Sequence, residues 1–442
     1  MKKFRNYQPN QLLLLPPAMS DWLPKGHLAQ FVSDVVDTLD LHEIFDAYDG
    51  EKGGQPPYHP LLMVKLLTYG YMIGLRSSRQ IERKTWEDVA FRVLAADQHP
   101  DHDSIANFRA RHRAAFSKIF DQVLRIAFEA GLADLYHVAV DGSKINANAS
   151  RYKSLTKERV EKREKKLQEH VNEILDEADK VDKEEDEKFG NRSTFQLPEE
   201  LQDQEARLQR IRELKDRMEK EQKELDEAAE KERSKKKPAV GGRKKKPNAK
   251  SSKKKSLVRN LTDYDSRIMH QPGGNWAQSF NAQAVVDGKS QIIVAADVTN
   301  EGSDVKQLIP MLRLTEEKTG KKPQNASADT GYYSKGNVQA KELAGINLLV
   351  PPGRSKERKT KHGKFAFPVS DLMRDKLEDP ANKELYKKRK TIVEPVFGQI
   401  KDSVQSFRRF TYRGLEAVRQ EWSIVCMTHN LMKLYRSGWR PA

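Results

Sequence analysis

Three acidic residues stand where short apolar runs stop. His137-Val138-Ala139-Val140 ends on Asp141, Ser327-Ala328 leads into Asp329-Thr330-Gly331, and Ile392-Val393 leads into Glu394-Pro395. A short strand that delivers a carboxylate at its end holds an acid rigidly near solvent. Each acid alone has a plainer explanation. Asp141-Gly142 and Asp329-Thr330-Gly331 are turn sequences, and a glutamate is favoured at a helix N-terminus by the dipole. As a set, in the order Asp, Asp, Glu and with Lys401 seven residues beyond Glu394, they have the chemistry of a Mg²⁺ site for phosphoryl transfer on nucleic acid. Carboxylates suit hard divalent cations. Two such ions about 4 Å apart stabilise the attacking and leaving oxygens of a phosphodiester exchange. Pro395 predicts that Glu394 lies in the first turn of a helix, with Phe397 and Lys401 on its face. Tyr386, Lys387, Lys388, Arg389 and Lys390, just upstream, add phosphate contacts and a stacking ring.

The elements that must carry these residues follow from periodicity. From Leu28 to about Ala130 the pattern is helical, with one stripe of Phe31, Val35, Val36, Leu39 and Leu41. A second helix opens at His59-Pro60. Asp103 or Ser104 is read as the cap of a stretch carrying Ile105, Phe108, Phe116, Phe120, Val123 and Leu124. Arg109, Arg111 and Arg113 on its polar face are candidate DNA contacts, although a helical bundle with a charged outer face has the same appearance. Beyond Asp141, Val160, Leu167, Val171, Ile174, Ala178 and Val181 form one apolar stripe, and Leu208, Ile211, Met218 and Leu225 another. These predict a coiled coil folded back as an antiparallel hairpin, broken near Gly190 and reopening at Pro198. From about Asn260 the period becomes two. Phe280, Ala282, Ala284 and Val286 precede the turn Asp287-Gly288, and Ile292 to Ala296 returns, which predicts a β-hairpin. Helices and strands then alternate, as in a mixed α/β sheet. Asp304 follows a strand and could approach the metals, but it is read first as the cap of a helix from Val305 to Leu314. The segment from Ser406-Phe407-Arg408-Arg409 to Arg440 adds an amphipathic helix and further cations, Arg408 and Arg409 among them.

Composition sets the limits. At 442 residues the chain has room for about three domains. One cysteine, Cys426, excludes an internal disulfide framework and a cysteine zinc site and fits a reducing cytoplasm. Met1-Lys2-Lys3-Phe4-Arg5 is followed by no apolar stretch long enough for a signal peptide, and no apolar run reaches membrane-spanning length, so no membrane span is expected. No phosphate-cradling P-loop is present, so no nucleotide cofactor is expected. His270, His362 and His429 lack ligand spacing with one another. The segment from Lys231 to Lys255 holds 13 Lys/Arg against Glu232, which is +12 of the chain's net +16. Such a tract is either a solvated loop or a polycation that binds nucleic acid by counterion release.

Together Asp141, Asp329-Thr330-Gly331-Tyr332 and Tyr386…Arg389…Glu394…Lys401 resemble the motifs of the DDE transposases of bacterial insertion sequences. The signature there is Tyr, two residues, Arg, three residues, Glu, six residues, Lys. Here four residues separate Arg389 from Glu394, and Lys390 would restore three, so both are candidates for the arginine's part. Tyr58-His59-Pro60 to Arg79, Asp103-Ser104…Phe108-Arg109 and Phe280 to Asp287 resemble further segments of such enzymes. The resemblance implies an RNase H-like α/β core, a mixed sheet flanked by helices, at 131–150 and 258–442. An all-α DNA-binding domain would occupy 1–130, the inserted coiled-coil hairpin 151–235 and the Lys-rich tract 236–257. It also implies two Mg²⁺ ions, replaceable by Mn²⁺, held by Asp141, Asp329 and Glu394. Partners would be the double-stranded terminal repeats and target DNA, with a homodimer or higher assembly in a nucleoid-associated complex. The hairpin is a candidate for the subunit contact, since pairing two DNA ends needs at least two active sites. An RNase H-like nuclease that cuts without joining, and a non-catalytic DNA-binding protein, are the competing readings.

Overall fold

The computed structural model describes residues 18–48, 56–189, 199–235, 257–271, 273–353, 368–403 and 405–441. The start of the lead-in, the break near Gly190, Pro198, the Lys-rich tract beyond residue 235 and His362 lie outside these. Helices come first: α1 (Leu28–Thr38), α2 (His42–Asp46), α3 (Pro60–Met72), α4 (Ser78–Glu87), α5 (Val89–Leu94), α6 (His102–Arg111) and α7 (Arg113–Glu129). The stripe from Phe31 to Leu41 is buried, and His59 caps α3 by accepting from the Leu61 N–H. Two boundaries differ from expectation. Asp101, not Asp103 or Ser104, caps α6, accepting from the Ser104 N–H at 2.8 Å. His112 then breaks the stretch in two.

Strand β1 (His137–Asn146) is followed by β2 (Ser154–Thr156), the long helices α8 (Lys157–Phe189) and α9 (Glu199–Lys235), and β3 (Val258–Asn260). The two helices pack antiparallel, since Lys157 pairs with Glu219 and, two turns further along α8, Glu164 with Lys215. Val160, Val171, Leu208, Ile211, Leu214 and Met218 are buried. Leu225 is not. It is 49% exposed because α9 runs past the start of its partner there.

The main sheet is made by β4 (Arg267–His270), β5 (Trp276–Asp287), β6 (Ile293–Thr299), β7 (Asn325–Ala328) and β8 (Asn347–Leu349) together with β1. Its order is β4-β5-β1-β7-β8, and β6 pairs with the second half of β5. The β5–β6 hairpin and β1 are antiparallel, whereas β1, β7 and β8 run parallel. Helices α10 (Leu308–Thr319), α11 (Lys335–Val338), α12 (Pro368–Glu378), α13 (Pro380–Asp402) and α14 (Leu415–Arg436) complete the chain. The last is no surface amphipath. Trp422, Ile424, Val425, Cys426, Met427, Leu431 and Leu434 leave few polar sides, and a helix apolar nearly all round is buried. It lies against α7, α3 and β6, so one apolar core runs from Leu23 to Leu434 through the N-terminal helices and the sheet. No described helix is long and apolar enough to cross a membrane.

The proline expected to open a helix instead sits inside one. Pro395 lies deep in α13, where it cannot donate to the Thr391 carbonyl one turn earlier. The Gln291 Nε2 donates to that carbonyl at 2.9 Å. A side chain from the β5–β6 turn thus repairs the helix and fixes it to the sheet.

Candidate active site

The parallel register does most of the positioning. Val140 pairs with Ala328, so Asp141 and Asp329 each follow the same rung and reach one edge of the sheet together. Asp141 does not end its strand, as the sequence suggested. β1 continues to Asn146, held by β5, with Asp141 opposite Ala284. The chain after Asp329 leaves the sheet in a 3₁₀ turn capped by its own carboxylate, which accepts from the Gly331 N–H at 2.8 Å. Glu394 arrives on α13, which packs on β1, β5 and β7. It lies mid-helix rather than in a first turn.

Arg389 joins the set. Its guanidinium is nearly buried, 3.7 Å from the Asp141 carboxylate and 4.0 Å from that of Glu394. Its Nε is buried without a hydrogen-bond partner among the described residues. Lys390 points outward and is exposed. Of the two basic candidates, only Arg389 faces the acids. Tyr386, half-buried one turn earlier, lies beside Arg389, and burial raises its phenol above the usual range. Lys401 donates to the Ser143 Oγ, two residues along β1 from Asp141. Burial lowers its ammonium pKa.

Burial also pushes the Asp141 carboxyl up to about 6, against the Gly142 N–H and Arg389. The neighbouring acids Asp329 and Asp304 add to the upward shift. Asp304 is the residue that sequence reasoning misplaced. Helix α10 starts at Leu308, with Gln307 before it, so Asp304 caps nothing. Its carboxylate accepts from Asn281 Nδ2 at 2.6 Å, Gln283 Nε2 at 2.9 Å and Lys144 Nζ at 3.0 Å. Tyr332 donates to the Gln283 Oε1. Asn281 and Gln283, the polar residues that alternate with the alanines of β5, are both buried. The usable signal was two amides, not charges, alternating with alanines on a strand next to β1.

Gly142 makes this arrangement possible. A Cβ there would stand 2.1 Å from the Gln283 Nε2 and 2.9 Å from the Asp304 Oδ1. The amide is held at both ends by Tyr332 and Asp304 and cannot swing away without breaking the network. Gly142→Ala is therefore expected to destabilise the fold by about 1–3 kcal/mol, the usual penalty of overpacking, and to displace Asp141. Denaturant unfolding measures the first effect. An unchanged midpoint would mean that the network yields.

The remaining basic residues fall in different places. Arg109 is buried, donates to the Arg76 carbonyl at 2.5 Å and lies over the Tyr412 ring. These contacts tie it into the fold, although it also borders the cleft lined by Arg76, Arg79 and Arg409. Arg111 is exposed, binding the Ala47 carbonyl above Tyr48. Arg113 is partly exposed and also lies over the Tyr412 ring, 5.3 Å from its centroid. Arg408 pairs with Asp402. Arg409 is exposed beside the end of β1, where its backbone bridges Asn146. His429 is buried against the Gln291 carbonyl, its imidazole pushed down to about 3 by burial.

An all-oxygen donor set fits a hard divalent cation rather than zinc or copper. Among the described residues no three His, Cys, Asp or Glu side chains stand as a ready metal-holding cluster. Arg389, between Asp141 and Glu394, supplies positive charge there instead. The fit therefore lies in donor chemistry and backbone placement.

A mixed sheet flanked by helices, with two aspartates at one edge and a helix-borne glutamate nearby, is consistent with an RNase H-like core. Family comparison supplies the rest. The Transposase domain (DUF772) matches residues 17–111, and the Transposase DDE domain matches residues 245–431. The chain belongs with the DDE-type transposases of insertion sequences. The second match contains Asp329 and Glu394 but not Asp141, which the inserted hairpin separates from it in sequence. No curated protein and no solved structure matched the chain.

Proposed function

We infer that this chain cuts DNA at the ends of an insertion sequence and joins the freed 3′-hydroxyls to target DNA, with Asp141, Asp329 and Glu394 as its catalytic acids. The observation that carries this reading is the shared rung of β1 and β7, with Arg389 reaching from α13 to Asp141 and Glu394. These three carboxylates would hold two divalent ions, Mg²⁺ or Mn²⁺. When bound, such ions supply the charge that activates water and stabilises the oxygens of an in-line displacement.

The chain's own residues do the remaining work. The rigid β1–β7 edge fixes two of the acids, so little reorganisation is needed on the way to the transition state. Arg389 and Lys401 flank Asp141 and offer donors to the non-bridging oxygens of the scissile phosphate. Tyr386 offers a ring beside that phosphate, and Lys390, Arg408 and Arg409 contact the backbone further out. In each round one P–O bond forms as one breaks, and no covalent bond to the protein is required. Two DNA ends must be brought together, so the working form is a dimer or larger.

Two assays with Mg²⁺ test this. Duplexes carrying the flanking inverted repeats should be cut at the repeat ends, and pre-cut ends should join a supercoiled plasmid. Cutting without joining would make the chain a nuclease. Binding without cutting would make it a non-catalytic DNA-binding protein.

A further inference from the structure

A cleft of about 910 Å³ lies at the base of the inserted hairpin, where α8 and α9 meet the loop before β4. Its floor is apolar, made in part by Leu167 and Ile211. Its walls carry Arg163, Lys166, Arg207 and Arg210 from the hairpin and Lys153 and Arg413 from the core, and no described acid lines it. The helix positions are deliberate in spacing. Arg163, Lys166 and Leu167 fall on one face of α8, and Arg207, Arg210 and Ile211 on one face of α9, at steps of three and four.

Several cations in and beside the hairpin are paired. Lys157 pairs with Glu219, Arg212 and Lys215 with Glu164, and Arg259 with Glu221. Arg163, Lys166, Arg207 and Arg210 are exposed, and none has a hydrogen-bond or ion-pair partner among the described residues. Unpaired like charges gathered round a cleft repel one another, and only an anion relieves that repulsion.

The cleft also connects with the catalytic edge. The Arg413 Nε donates to the Asn148 carbonyl at 3.1 Å, and the Asn148 Nδ2 donates to the Thr411 carbonyl. Asn148 and Thr411 line a second cleft of about 600 Å³ with Arg76, Arg79 and Arg409. Arg409 borders Asn146, the last residue of β1, about 17 Å along the strand from Asp141 at the usual rise per residue. Arg409, Arg76, Arg79 and Arg413 thus lie between the end of β1 and the hairpin, with Asp103 the one described acid lining the second cleft.

We propose that the cleft at the hairpin base seats the phosphate backbone of duplex DNA, gripping the same molecule whose end lies at the acids. This rests on the transposase reading above. It gives the insertion a DNA-holding role distinct from the subunit contact expected of the hairpin.

The test uses the full chain and the variant Arg163→Gln/Lys166→Gln/Arg207→Gln/Arg210→Gln, binding a labelled duplex in fluorescence anisotropy across a KCl series. Each lost phosphate contact lowers the slope of log K against log salt by about 0.9. The expected result is a slope shallower by about 3 to 4, with an unchanged thermal midpoint because all four side chains are exposed, and with Asp141→Asn keeping the original slope. A variant with the original slope overturns the proposal. So does an original slope combined with lost self-association in sedimentation, which would assign these residues to a subunit interface. If the unmodified chain binds no duplex at any salt, the transposase reading fails as well, an outcome separate from a variant that binds normally.

Discussion

Replacing Asp141 by asparagine is expected to abolish strand cleavage while making the metal-free protein more stable. The activity loss follows from removing a charge that acts on the reacting phosphate, for which about 10²–10³-fold or more is usual. Asp329→Asn and Glu394→Gln should lose activity similarly, with duplex binding retained. The stability gain follows from the carboxyl's pKa of about 6, above the value near 3.9 of an unfolded chain. A group whose folded pKa is raised favours folding only while protonated. Its contribution is complete below about pH 4 and is lost as pH rises through 6, so at pH 7.5 the ionised carboxylate weighs against folding. Two pKa units correspond to about 2–3 kcal/mol, and the side chain is 22% exposed, so the gain should be about 1–3 kcal/mol. Urea unfolding in EDTA at pH 7.5 and again at pH 4 measures it, and the difference between parent and variant should vanish at the lower pH. Near-parental cleavage by the variant in Mg²⁺ would remove Asp141 from the catalytic set. A deficit in stability would mean that the acid is held by contacts stronger than its burial.

Glu421→Ala should cause the largest loss of stability. This carboxylate is fully buried in α14, and burial raises its pKa. It accepts from the Thr411 N–H at 2.9 Å and the Tyr412 N–H at 3.1 Å. Tyr71 of α3 reaches it at 3.5 Å, and Arg109 lies close enough to favour its charged form. Truncation strands two backbone donors and leaves Arg109 without its nearest buried counter-charge. Breaking such a buried set costs about 3–5 kcal/mol, or a fall of roughly 5 °C in a chain of this size. Glu421→Gln keeps an acceptor and should lose about half as much. Because α3, α6 and α14 meet here, calorimetry should show the N-terminal helices and the sheet unfolding together. Two separated transitions, only one of them moved by the substitution, would mean that the N-terminal helices fold as an independent unit.

The same pocket shows why the burial of Arg109 was not legible. Arg109 and Arg113 stand four residues apart, as on one helix face, and local spacing says nothing about what lies opposite. The partner of Arg109 is a ring more than 300 residues away, Tyr412. Asp304 was misread for a related reason. Ser303-Asp304 before an apolar run has the composition of a helix cap. The acid's three donors come instead from β1 and β5, whose register is not a local property. Pro395 marks a helix start in most sequences, yet it is tolerated inside α13 because Gln291 supplies the missing donor.

What the amino-acid order determined by itself was the kind of each element and the kind of chemistry. Apolar periodicity marked the α3 start, the β5–β6 hairpin and the paired stripes of the insertion, because side chains repeat with the pitch of the backbone that carries them. The Asp, Asp, Glu order and the spacing of Tyr386, Glu394 and Lys401 marked oxygen ligands and phosphate contacts, because those residue types have few other uses together. The tertiary structure alone decided which charges point inward and which remain free: Arg389 rather than Lys390 at the acids, Arg109 inside, Asp304 under Gly142, and four unpaired cations at the hairpin base. These depend on strand register and on burial against distant segments. A side chain's solvation and its partners are properties of the space around it, which the neighbouring residues in sequence do not enclose.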